Sequence, residues 1–196
     1  MSLKLPEKYL KENLVDQYSA AYIFYMFSGK DDDLASLTEL GQSARDETDE
    51  DRETRAAIEQ LETPNDFFRW MRKQMSQANK ELLNSRLLEH EDEVLPMVKK
   101  RILTNRIDHF IENATRFLIS CDEDPSAWLV ENFGQIQDPY AKSMMCLALG
   151  FRGDETCGPM LLDQAERLKG AVANEKLEQG PIIALYMLAG MDENLK

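Results

Sequence analysis

Glycine and proline are scarce in this chain, at 9 and 7 of 196 residues, while 43% of the residues are hydrophobic and 30% charged. That balance excludes a disordered or low-complexity chain and suits a globular helical one. Histidine is scarcer still: only His90 and His109 occur, neither in an H-E-x-x-H motif nor near a cysteine pair. There is no Gly-rich phosphate loop and no G-x-S-x-G elbow, so the familiar routes to metal, nucleotide and serine chemistry are missing. Positive charge is short as well. The formal net charge is −13, which argues against a nucleic-acid groove or an anionic membrane as the main partner. The most apolar run, Ala20 to Phe27, is too short to span a bilayer, and no leader-like pattern opens the chain. The three cysteines (Cys121, Cys146, Cys157) cannot all pair and lie in no C-x-x-C motif, so they read as small buried residues. A cytoplasmic location is the expectation from these absences.

What is present is a period. Leu87, Leu118 and Leu149 stand 31 residues apart, each ending an apolar run. Acidic residues follow each one: Asp92 and Glu93, Asp122 and Glu123, Asp154 and Glu155. A fixed spacing of two helices' length signals stacked helical hairpins, because one such hairpin cannot bury its apolar face alone. The charge is uneven along the chain. Residues 1–60 carry a net of −7, residues 61–106 a net of +2 and residues 107–196 a net of −8. Any basic contact surface is therefore expected in the middle.

Helix signals run almost throughout. Leu14 to Phe27 forms an apolar helix, and Asp31 to Asp33 cap another carrying Leu34, Leu37 and Leu40. Gly41 to Glu53, acidic and without large apolar residues, reads as a solvated linker or an exposed helix. Residues 66–89 form one long helix, or two with a break near Ala78-Asn79. Val94, Leu95, Val98 and Ile102 share one helix face. Asp108 is an expected N-cap for a helix with Phe110, Ile111, Ala114, Phe117 and Leu118. Asp124-Pro125 and Asp138-Pro139 open further helices, proline suiting the first turn. Gly153-Asp154 turns into a helix with Leu161, Leu162, Ala165 and Leu168, and a last helix starts near Pro181 and ends at Gly190.

Asp138-Pro139-Tyr140-Ala141, then Cys146 to Glu155 (Cys-Leu-Ala-Leu-Gly-Phe-Arg-Gly-Asp-Glu), then Pro159-Met160-Leu161-Leu162, resemble a HEAT repeat. The nearest variety is the short PBS-lyase HEAT-like type, which shares the aspartate-proline start, the alanine-leucine-glycine helix end and the glycine-aspartate turn. The resemblance is good over 138–162 and looser over 91–193, where Ser120-Cys121 replaces the glycine turn. It implies an all-α fold, an α-solenoid of stacked antiparallel hairpins with about ten helices. The chain then reads as one helical-repeat domain over 1–196. Residues 1–62 supply degenerate N-terminal helices with an acidic linker at 41–55, and 63–196 supply the HEAT-like hairpins. The resemblance implies no lyase activity, since fold does not determine function.

In HEAT-like families the second helix of each hairpin usually lines a concave, partner-binding side. Aligning those helices sets Val98, Leu129 and Leu161 as buried equivalents. Met97, Trp128 and Met160 then form one row, and Arg101, Asn132 and Gln164 an adjacent one. Such a ridge beside polar groups suits recognition of a protein or peptide. The same methionines and tryptophan equally serve as packing between repeats. Arg69, Arg72, Lys73, Lys99, Lys100 and Arg106 form a weaker candidate, a basic patch for an acidic partner or phosphate, or simply a solvated face. Asp46 to Glu53 lacks the spacing and glycine of a calcium loop. Asp108-His109 with Glu112 can hold a metal or act as a base, or be a cap and a part-exposed histidine.

The leading expectation is a non-catalytic interaction module with no cofactor or metal, binding an unidentified protein or peptide and neither nucleic acid nor membrane. A second is a client-specific chaperone for redox-enzyme maturation. Tyr18 to Leu37 and Asp108-His109 with Phe117-Leu118 resemble the twin-arginine maturation chaperones, but Arg106-Ile107 stands where that family carries glutamate-proline. An enzyme built on a helical array is the third.

Overall fold

Side-chain hydrogen bonds cap four of the described helices at their N-termini. The computed structural model describes residues 47–189, and among them every regular element is helical. The expected helices at Leu14–Phe27 and Leu34–Leu40, and the stop at Gly190, lie outside the described residues. Helix α1 (Asp49–Glu59) opens with a capping box: Thr48 Oγ1 accepts the Asp51 N–H, and Asp51 Oδ2 accepts the Thr48 N–H at 2.9 Å. Three acidic residues in its first turn face the positive end of the helix dipole. The acidic stretch 41–55, expected as a linker, is thus helical from Asp49 onward, in keeping with the exposed-helix alternative.

Thr63 caps α2 (Pro64–Met71), and Ser76 caps α3 (Gln77–Leu88). Residues 66–89 are therefore two helices, with the break at 72–76 rather than at Ala78-Asn79. Ser76 supplies the cap, and Asn79 is drawn inward, its Nδ2 donating to the Asp51 carbonyl at 2.9 Å. Helix α4 (Glu91–Ile102) starts with Glu91, Asp92 and Glu93 and ends with Lys99, Lys100 and Arg101, charges that match both ends of its dipole. Helix α5 (Asp108–Ser120) has Ile107 at its N-cap, so Asp108 is its first residue and not the expected cap. No side chain caps α5; Asn105 instead closes the turn before it, accepting the Ile107 N–H at 2.9 Å.

A short α6 (Ser126–Asn132) runs into a 3-10 turn at Phe133–Gln135. Asp138 caps α7 (Pro139–Arg152), accepting the Ala141 N–H at 3.0 Å as the aspartate-proline signal requires. After a 3-10 turn at Glu155–Cys157 come α8 (Gly158–Leu168) and α9 (Gln179–Leu188), the last starting two residues before Pro181.

Every second helix packs on the next. Helix α1 meets α3, α3 meets α5, α5 meets α7 and α7 meets α9, while α2, α4, α6 and α8 pack against members of that row. Leu87, Leu118 and Leu149 fall on α3, α5 and α7 and are all buried. The 31-residue period therefore marks equivalent positions along one row. The two glycines at the α7–α9 contact make it close. A Cβ on Gly150 would stand 2.6 Å from the Ala184 Cα, and one on Gly180 would stand 2.3 Å from the Ser143 carbonyl oxygen. Pairing 143 with 180 and 150 with 184 means the two helices run parallel.

Buried polar groups tie the helices to one another and to the turn before α9. Asn113 of α5 donates to the Met71 carbonyl at 3.0 Å and to the His109 carbonyl at 2.9 Å. Arg116, also buried, donates to Gln77 Oε1 of α3 at 3.0 Å. Ser143 of α7 donates to the Leu177 carbonyl at 2.7 Å, ahead of α9. Each satisfies a buried donor that would otherwise cost free energy.

Candidate functional site

The alignment of α4, α6 and α8 holds for their buried residues: Val98, Leu129 and Leu161 are each fully enclosed. One position earlier, Met97, Trp128 and Met160 are half-buried and packed against the central core. That placement agrees with both readings of the row, since each side chain gives part of its surface to the core and part to solvent.

The polar row behaves differently. Arg101 lays its guanidinium over the Phe68 ring of α2, 4.3 Å from the centroid. Phe68 in turn packs its ring on Phe110 at 6.1 Å. Asn132 turns back into its own helix, donating to the Trp128 carbonyl at 2.9 Å and accepting from Gln135 at 2.8 Å. Gln164 donates to its neighbour Asp163 at 3.0 Å. A cation–π stack and helix-end hydrogen bonds thus engage these groups locally.

Lys99 of α4 reaches the turn before α6 and the Trp128 ring on α6. Its Nζ lies 2.5 Å from Glu123 Oε1 and 5.8 Å from the Trp128 ring centroid, with only 14% of the side chain exposed. Sequence reasoning placed Lys99 in the basic patch and missed both partners, because Glu123 lies 24 residues away in a turn. The other patch residues stay at the surface. Arg69 pairs with Asp66 at 3.3 Å, Lys73 sits 3.5 Å over the Trp70 ring, and Arg72, Lys100 and Arg106 are exposed. The Arg101–Phe68 stack is the contact that links α4 to the helix carrying Arg69.

The turns between helices carry the carboxylates. Glu91 accepts the backbone N–H groups of Asp122 and Glu123 at 2.8 and 2.9 Å. The N–H of Ser126, donating to Asp124 Oδ1 at 3.0 Å, holds Asp124 below the usual carboxylate range, and the hydroxyl and N–H of Thr156 do the same for Asp154. Two open grooves of about 370 Å³ lie along these turns. One is lined by Leu88, His90 and the carboxylates Glu89, Glu91, Asp92, Glu93 and Asp122. The other lies between α6 and the α7–α8 turn, where Val130 is 45% exposed, the one exposed large apolar side chain among the described residues. No grouping of three or more His, Cys, Asp or Glu among the described residues is placed to hold a metal ion.

His109 and Glu112, expected as a possible base or metal pair, belong to a wider network. Glu112 accepts from Lys80 of α3 at 3.0 Å and from the Tyr140 hydroxyl of α7 at 3.2 Å, while His109 Nδ1 stands 3.8 Å away. The carboxylate thus ties three successive members of the helix row. His90 packs its ring on Phe67 at 5.2 Å. All three cysteines are free and buried, as expected. Burial and the charge of Glu91 push the Cys121 thiol up to about 11, and burial also raises Cys146 and Cys157. Thiols so shifted are weak nucleophiles at neutral pH.

Among the described residues no helix is long and apolar enough to cross a membrane. In comparisons with known protein families, curated proteins and solved structures, nothing matches this chain.

Proposed function

We propose that the chain is a HEAT-like helical-repeat module whose work is to bind another protein or a peptide, without catalysis of its own. The observation that carries this reading is the packing of every second helix on the next, from α1 to α9, with period-related leucines buried along that row. A repeat array of this kind presents its other helices as an extended surface. Here those helices are α2, α4, α6 and α8, and the proposed contact face, on the last three, holds Met97, Arg101, Trp128, Asn132, Met160 and Gln164. Affinity comes from covering the half-buried Met97, Trp128 and Met160, and Arg101 and Gln164 set the register. The cytoplasm is the proposed compartment.

The test is an affinity capture from native cytosol with wild-type protein and a Trp128→Ala, Arg101→Ala variant of matched circular dichroism. The expected result is a partner held by the wild type and lost by the folded variant. Equal capture by both would remove this face from the proposal. Specific capture of a metalloenzyme precursor through its signal peptide would favour the chaperone reading instead.

A further inference from the structure

We draw no further inference here: the strongest candidate, the groove between α6 and the α7–α8 turn with Val130 exposed beside Asp124, Glu131 and Asp154, is an acidic cluster next to one aliphatic side chain, and nothing in the structure shows what covers it.

Discussion

Glu91 stands 31 residues before Asp122 in the chain, and its carboxylate accepts the Asp122 backbone N–H at 2.8 Å. The repeat period is thus also a contact distance: the first turn of α4 closes the turn that follows α5. The second carboxylate oxygen takes the Glu123 N–H at 2.9 Å, so one side chain satisfies two turn donors. Replacing Glu91 with Ala is expected to lower stability by about 1 kcal/mol, since the freed donors are exposed and water can replace the acceptor. Asp92→Ala, on the neighbouring exposed position, should stay within about 0.5 kcal/mol. Urea unfolding of both variants checks the difference, and equal losses would mean that the turn does not depend on Glu91.

The close approach of α7 and α9 makes its own demand. Gly150→Ala brings a methyl group to within 2.6 Å of the Ala184 Cα, which is backbone and cannot rotate away. Separation of the two helices should cost about 1–3 kcal/mol, and Gly180→Val, against the Ser143 carbonyl, should cost at least as much. Gly134→Ala, where nothing lies within 4 Å, is the control and should be near neutral. Thermal melts of the three variants decide it.

The turn carboxylates make stability depend on acid. Asp124 titrates below its ordinary value of 3.8 because the folded state donates hydrogen bonds to its charged form. A depressed folded pKa means that the unfolded chain binds the proton more readily. The contribution is complete above the unfolded value and is lost as pH falls through the folded one. Stability should therefore begin to drop below about pH 5 and go on falling as pH passes through the folded value, and Asp124→Ala should flatten that part of the profile while lowering the plateau above it. Denaturant midpoints taken across that range test both parts. An unchanged slope would place the acid response elsewhere.

Thiol chemistry should be silent in the folded state. With Cys121 raised to about 11 and all three cysteines buried, a neutral-pH disulfide reagent should label none of them rapidly. In guanidinium all three should react. Fast native labelling of any one would show that local opening exposes it.

Helix identity was largely readable from the residues. The i, i+4 spacing of Val94, Val98 and Ile102, the run from Phe110 to Leu118 and the Asp138-Pro139 start all rest on local rules of periodicity and capping, and each is met in the structure. The break at 72–76 was not readable at its true place. Ser76 and Asn79 both suit a boundary, and only the carbonyl of Asp51, 28 residues earlier, draws Asn79 inward. Half of the candidate face was legible, for the opposite reason. Met97, Trp128 and Met160 follow from helical phase, which settles how far a side chain turns toward the core.

The partners of the polar side chains belong to tertiary structure. Arg101 stacks on Phe68, and Lys99 lies between Glu123 and Trp128, because helices distant in sequence meet there. Net acidity, the helices of the described residues and a 31-residue period were written in the residues themselves, because charge, capping and apolar phase act over a few residues. Tertiary structure alone decided which second helix each helix rests on, where two glycines let α7 and α9 touch, and which charges are already spent. Those outcomes depend on side chains meeting across gaps that no local pattern records.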